Sequence, residues 1–311
     1  MIEFPDVHAM YDRLPSRFQP VVQKWYYRVD PRLSWTDRKK KQDTEEAFIQ
    51  RFFDGYEEFL AYRDEFDHGR IPPAIGDALQ QLDGDKRLFD SHLEECQKAY
   101  AYVRKYEPDV LVETGVYNGV STASLLYALD QNGHGTLYSI DPSPHLRTMS
   151  DDDPAFERWR RTRPSCSEEG SARCPSSRQP GWLIPEDLHE HWELSFGRSR
   201  EELPALLDSI GEVDLFYHDS DHSSATMEFE FELAWEYLSS GGILLSNHVG
   251  WNETFETFTA DRTDDCGLVT WHYNPRRNYP TPGSAGYAVK HGGSPSVATA
   301  TPEPLRSDSH S

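Results

Sequence analysis

From residue 109 onward, short apolar runs alternate with amphipathic segments, a pattern that predicts strands joined by helices in βαβ units. Strands are expected at DVLVET (109–114), GTLYSID (135–141), HWELSF (191–196), VDLFYHD (213–219) and GGILLSN (241–247). VSTASLLYAL and REELPALLDSI read as the helices between them. SATMEFEFELAWEYL puts Met227, Phe231, Ala234, Trp235 and Leu238 on one apolar stripe, with Glu228, Glu232 and Glu236 facing away. GLVTWHY (267–273) and GYAVKH (286–291) add two more strands. The Pro- and Gly-rich segment between them leaves no room for a crossover helix, so they must pair as an antiparallel hairpin. The expected fold is an α/β sheet of seven strands, mostly parallel and closed by that hairpin.

The first third of the chain reads differently. Residues 1–108 show no strand pattern: EEAFIQRFFDGYEEFLAYRDEF carries Phe48, Phe52, Tyr56, Leu60 and Phe66 at helical spacing, and DKRLFDSHLEECQKAYAYVRKY follows as another helix. The breakers in HGRIPPAIGD are expected to separate the two, and the basic run Arg38–Lys41 reads as a solvated turn. Three organisational units follow: a helical N-terminal extension (1–108), an α/β domain (109–291) and a disordered tail (292–311) that lacks any core-forming pattern. About fifty residues separate Asp141 from the next strand, far more than a crossover needs. The stretch 145–190 is therefore expected to form a lid-like insertion, with a disordered excursion as the competing reading.

Composition narrows the partners. The formal charge of -22 disfavours nucleic acid and anionic lipid surfaces, which reward Lys and Arg. Only 8 of the 31 basic residues are lysines, and this acidic, lysine-poor balance suits a halophilic source as well as an ordinary acidic protein. No apolar run approaches the length of a membrane helix, and MIEFPDVHAM lacks the features of a signal peptide, so a cytoplasmic protein is expected. Four scattered cysteines do not make a disulfide scaffold; Cys166 and Cys174 could form a labile disulfide or half of a metal site, or remain free thiols.

The chemistry concentrates at the ends of the expected strands. In VLVETGVYNGVSTASLL a strand, an acid, a glycine-containing turn and a helix start follow one another, and Gly115 and Gly119 allow a sharp turn with close approach to a ligand. In open α/β sheets, ligands bind at the carboxyl ends of strands near the switch in strand order. The spacing departs from the G-x-G-x-x-G of dinucleotide sites. Glu113 would repel a pyrophosphate but accept bonds from a cationic amino-acid group, which favours S-adenosylmethionine over NAD. Asp141 ends the second strand 28 residues after Glu113, placed to take both ribose hydroxyls or, alternatively, to cap the turn before Pro142.

With these motifs the chain resembles the class I S-adenosylmethionine-dependent methyltransferases, particularly their small-molecule O-methyltransferase-like branch. The resemblance covers roughly residues 90–291 and rests on E-T-G-V-Y-N-G-V-S-T (113–122), S-I-D (139–141), F-G-R-S-R-E-E-L-P (196–204), D-L-F-Y-H-D-S-D-H-S (214–223) and G-G-I-L-L-S-N-H-V (241–249). It implies a Rossmann-like doubly wound sheet. It also implies that Glu113, Gly115, Tyr117, Gly119 and Ser121 surround the methionine part of the cofactor, that Asp141 holds the ribose, and that Ser199 contacts the adenine edge. Asp219 would lie beside the methyl group and amine, and the N-terminal helices would cap the site or mediate a homodimer.

The HDSDH run (218–222) then has several possible uses. His222 is a candidate general base for a hydroxyl acceptor, while the competing reading has this stretch merely starting the next helix, capped by Asp221 or Ser223. His218, one residue out of phase on the strand, is expected to be structural. Metal-dependent relatives join the first aspartate to two residues after the fifth strand, here Asn247 and His248. The set Asp219, Asn247 and His248 has one carboxylate and a softer donor, so magnesium fits poorly; a transition metal, or no metal with His248 as base, fits at least as well. Trp182, Trp192, Trp251 and Tyr273 could stack an aromatic or sugar acceptor, or serve as packing. The expected activity is methyl transfer from S-adenosylmethionine to a hydroxyl of a small molecule, with Asp219, His222 and His248 nearest the chemistry. The alternatives are a repurposed member of the fold acting through protein contacts and an NAD-dependent oxidoreductase.

Overall fold

The computed structural model describes residues 35–80, 86–142, 180–270 and 284–292. Most of the stretch 145–190 expected to form a lid-like insertion, with Cys166 and Cys174, lies outside the described residues, as do Tyr273, the first 34 positions and the expected tail beyond Gly292.

Among the described residues, four helices precede the sheet: α1 (Trp35–Phe52), α2 (Tyr56–Asp67), α3 (Ile71–Gln80) and α4 (Lys86–Tyr106). Then follow β1 (Val110–Thr114), α5 (Val120–Asn132), β2 (Thr136–Asp141), β3 (Trp192–Phe196), α6 (Ser199–Ile210), β4 (Val213–His218), α7 (Ser224–Tyr237), β5 (Leu238–Ser246), α8 (Thr254–Ala260), β6 (Cys266–Thr270) and β7 (Ser284–Val289). The seven strands lie in the order β3-β2-β1-β4-β5-β7-β6. Strands β1 to β5 run parallel, while β7 is antiparallel to both β5 and β6, so the hairpin forms as the sequence requires. The order reverses between β1 and β4, which makes their carboxyl ends the switch point of a doubly wound sheet.

Both faces are covered, and strands β1, β2, β4, β5 and β7 feed both. Along β1, Leu111 joins a cluster with residues of α4 and α5, while Val112 points the other way into a cluster with Leu207, Phe231 and Phe258. The helices before β1 belong to the first cluster: Phe48, Phe52, Phe59, Phe66, Ile71, Tyr100 and Val103 are buried together with Leu111, Leu215 and Tyr217. Helix α1 is seated by aromatic edges, with the Phe52 ring 4.9 Å from Tyr287 on β7 and 5.2 Å from Tyr102 on α4.

Three local expectations need correction. The periodic segment from Glu45 to Phe66 is two helices, broken by Gly55, whose φ of 142° no other residue type readily adopts. HGRIPPAIGD is not a linker, because Pro72 and Pro73 fall in the first turn of α3, where a missing N–H costs nothing. Arg38–Lys41 lies inside α1 and not in a turn, consistent with the good helix propensity of Arg and Lys. No helix among the described residues is long and apolar enough to cross a membrane.

Candidate functional site

The turn after β1 is shaped by glycines and by carboxylates beneath it. Gly115 has φ 89°, and a Cβ there would lie 2.2 Å from the carbonyl oxygen of Asp219, so the β1 and β4 tips touch backbone to backbone. Asp219 N–H donates to Thr114 O at 2.8 Å, closing the same junction. Gly119, at φ 93°, caps α5 and meets the Cα of Gly181. Tyr117 is one of three non-glycine residues at positive φ among the described residues, at 50°, and its ring is exposed. Asp141 is buried at the tip of β2, and its Oδ2 accepts the backbone N–H groups of Val116 and Tyr117 at 2.8 and 2.7 Å. One oxygen of the residue expected to hold the ribose therefore shapes the turn.

Glu113 is fully buried below the turn. Its carboxylate accepts Ser121 Oγ, Thr122 Oγ1 and Ser139 Oγ at 2.8, 2.8 and 2.9 Å. Burial outweighs those three bonds and pushes the carboxyl up to about 7. Glu113 and Ser121 thus meet each other, as the floor of the turn. The described end of the long insertion packs on the same turn: Gly181 N–H donates to Tyr117 O, Leu183 N–H to Asn118 O, and Trp182 Nε1 to Asn118 Oδ1.

At the tips of β4 and β5, Asp219, His222 and His248 converge, with one donor atom from each lying within 4.8 Å of the others. His222 Nε2 stands 3.8 Å from Asp219 Oδ1. The His222 ring meets His248 edge-on at 4.6 Å, and Trp251 stacks on His248 at 4.4 Å. His248 holds a left-handed conformation at φ 54°, the second strained residue on this rim. Burial pushes the His222 imidazole well below its ordinary value, so the ring is neutral at physiological pH. Burial also pushes the Asp219 carboxyl well above the carboxylate range, and Glu95 and Glu113 add to the shift.

Asn247, expected among the metal donors, is bonded to two members of this group. Its Nδ2 donates to Asp219 Oδ1 at 2.8 Å and its Oδ1 accepts the N–H of His248 at 2.7 Å, so it braces the two residues it was expected to work beside. Asp219, His222 and His248 make a set of one carboxylate and two imidazoles. Such a set suits a transition metal such as zinc better than magnesium, which takes oxygen donors. The helix-capping role belongs to Ser223, whose Oγ accepts Thr226 N–H while Asp221 accepts Ser223 N–H.

Two buried carboxylates escaped the sequence reading. Glu230 on α7 lies beneath the cluster and accepts Thr114 Oγ1 at 2.5 Å, His218 Nδ1 at 2.6 Å and Ser220 Oγ at 2.8 Å. Ser199, expected at the adenine edge, opens α6 and also bonds Glu230. Burial raises the Glu230 carboxyl, but the bonds it accepts from His218, Ser199 and Thr114 outweigh it and hold it below the usual range. Glu95 on α4 accepts Tyr217 Oη at 3.1 Å, and burial pushes it up to about 8. Both acids sit within apolar helix faces, Glu230 between Met227 and Phe231 and Glu95 beside Cys96 and Ala99, and that interruption is the signal available in sequence.

No curated protein matches the chain by sequence. Among solved structures, a candidate O-methyltransferase from Klebsiella pneumoniae is 12% identical, with a TM-score of 0.44, covering 81% of this chain and 100% of its own. The O-methyltransferase TomG from Streptomyces achromogenes, solved with SAM, is 14% identical over 82% of this chain and 98% of its own, with a TM-score of 0.40. An O-methyltransferase from Bacillus cereus, solved with SAH, is 13% identical over 87% and 97%, with a TM-score of 0.37. Residues 112–249 match the family model described as a methyltransferase domain, and that stretch runs from Val112 in β1 to the turn after β5, carrying the glycine turn, Asp141, Glu230 and the Asp219, His222 and His248 cluster.

Proposed function

We propose that this protein transfers the methyl group of S-adenosylmethionine to a hydroxyl group of a small molecule. The observation that carries the reading is the junction of the Gly115 turn with the tip of β4, which brings a close-approach backbone surface beside Asp219, His222 and His248 at the switch in strand order. The methyltransferase-domain match over residues 112–249 supports it.

In the reaction the C–S bond of the sulfonium breaks as the acceptor oxygen bonds the methyl carbon, and the acceptor proton must leave. Alignment does most of this work. The cofactor would lie across the β1–β4 junction, with its ribose toward Asp141 and its cationic end toward Asp219. His222 takes the proton at Nε2. Its depressed pKa keeps the ring neutral but makes it a weak base, which suits a hydroxyl that is already acidic or polarised. The Trp251 ring, stacked on His248 and partly exposed, offers a wall to a planar acceptor.

A second reading is favoured by the same convergence. Asp219, His222 and His248 would hold a transition metal ion, which when bound supplies Lewis-acid polarisation of the acceptor oxygen.

Calorimetric titration of the full chain with S-adenosylmethionine tests the proposal. Saturable binding at one site per chain is expected, and no heat up to about 1 mM cofactor, the range of a free energy near -4 kcal/mol, would contradict it.

A further inference from the structure

Behind His222 runs a chain of side chains that the reaction as described does not use. His222 Nδ1 lies 3.3 Å from His218 Nε2, and His218 Nδ1 lies 2.6 Å from Glu230 Oε2. His218 and Glu230 are fully buried, their side chains having no exposed surface. Glu230 is held from three further directions by Thr114, Ser220 and Ser199. A buried carboxylate costs several kcal/mol of desolvation unless it is fully bonded, so this acid is an expensive feature for a helix face that otherwise packs Met227, Phe231 and Ala234.

The order of the chain gives it a direction. An ionised carboxylate only accepts, so the proton between Glu230 and His218 sits on His218 Nδ1. With a single proton, on Nδ1, His218 offers Nε2 as an acceptor, 3.3 Å from His222 Nδ1, whose proton satisfies it. That leaves the lone pair of His222 on Nε2, the atom facing Asp219.

We propose that Glu230 and His218 are positioning residues that fix His222 in its Nδ1–H tautomer and present its Nε2 lone pair to the reaction site. The inference rests on the proposed methyl transfer for its purpose, but the tautomer is a property of the protein alone. It serves either use of that lone pair, as proton acceptor or as metal donor, because orientation by a second bonded group is what both require. It also accounts for His218, which shares the cluster's histidine character yet never reaches the surface.

Long-range proton–nitrogen correlation spectra of the full chain labelled with nitrogen-15 histidine read the tautomer directly, with the His222 signals assigned by their loss in His222→Gln. The wild-type ring is expected to carry its proton on Nδ1. His218→Leu removes the acceptor and should shift the tautomer ratio by about fivefold, the factor that one net hydrogen bond supplies. His218→Gln keeps a side-chain oxygen that can accept and should recover the wild-type pattern. A wild-type His222 protonated on Nε2, or an unchanged pattern in folded His218→Leu, would overturn the proposal; if that variant does not fold, the wild-type spectrum still decides. Titration of the same samples with S-adenosylmethionine separates the two claims, since failure to bind would remove the methyltransferase reading and leave the tautomer as observed.

Discussion

Replacing Gly115 by alanine puts the β1–β4 junction under a defined load. The added Cβ would stand 2.2 Å from Asp219 O, 2.6 Å from Asp219 C and 2.7 Å from the Cα of Ser220, all backbone atoms that cannot rotate away. The residue is also at φ 89°, where a Cβ costs about 1–2 kcal/mol in backbone strain. Forcing apart a packed junction adds roughly 1–3 kcal/mol. The two together predict a loss of about 2–5 kcal/mol, against a total stability of about 5–15 kcal/mol for a typical domain. Gly133 supplies the control, because it has a similar φ of 78° with nothing within 4 Å of its would-be Cβ. Gly133→Ala therefore carries the backbone cost without the collision, and should lose only about 1–2 kcal/mol. Urea unfolding of the two variants, followed by circular dichroism, measures the difference. Calorimetry on folded Gly115→Ala should also show cofactor binding weakened or lost. Equal stability loss in the two variants would refute the idea that the tips of β1 and β4 touch at Gly115.

Other outcomes follow from the buried acids and the packing. Glu113 keeps its proton to about 7 when folded, against an ordinary value of 4.5, so the folded state holds more protons across that window and stability falls as pH rises through it. Glu113→Gln does not titrate, so its unfolding free energy in urea should gain on the wild type between about pH 5 and 7.5, by an amount on the order of 3 kcal/mol; a constant gap would contradict the shift. Phe52→Ala should cost about 3–5 kcal/mol in urea unfolding, because that ring seats α1 against Tyr287 and Tyr102. Asp265→Ala, which breaks the partly exposed Arg51 pair joining α1 to the start of β6, should cost under about 1 kcal/mol, and a larger loss there would shift the seating of α1 from packing to charge. Zinc titration of chelator-treated protein should give one binding site, lost in His248→Ala; equal affinity in the variant would remove His248 from the donor set.

Much of this arrangement could be read in the chain because its physics is local. The central strands are buried on both faces and so appear as unbroken apolar runs, and the segment between Thr270 and Ser284 is too rich in breakers to hold a helix. The glycine turn shows itself by composition for the same reason. Gly55 was harder to interpret, because Phe52, Phe53 and Tyr56 continue an apolar pattern straight across the break. Glu230 was hidden by its neighbours: among Glu228, Glu232 and Glu236 it looks like one more exposed acid, although it stands on the opposite side of α7. Glu95 was hidden in the same way beside Glu94. What those two acids meet, Tyr217 and His218, lies more than a hundred residues away from Glu95 in one case and on a different element in the other, and tertiary proximity of that kind leaves no local pattern.

The Asp219 group was partly legible. Its place after β4, and that of His248 after β5, followed from strand order, but the side-chain bonds that hold the group did not. Asn247 turns its amide into bonds with Asp219 and His248, and His222 swings in from the other side.

The account stands or falls on where a cofactor lies, and a crystal structure of the full chain grown with S-adenosylhomocysteine measures that directly. It should show the ligand across the tips of β1 and β4, with ribose hydroxyls at Asp141, backbone contacts at Gly115 and the sulfur facing His222. A ligand bound elsewhere, or one whose ribose and sulfur lie away from Asp141 and His222, would contradict it.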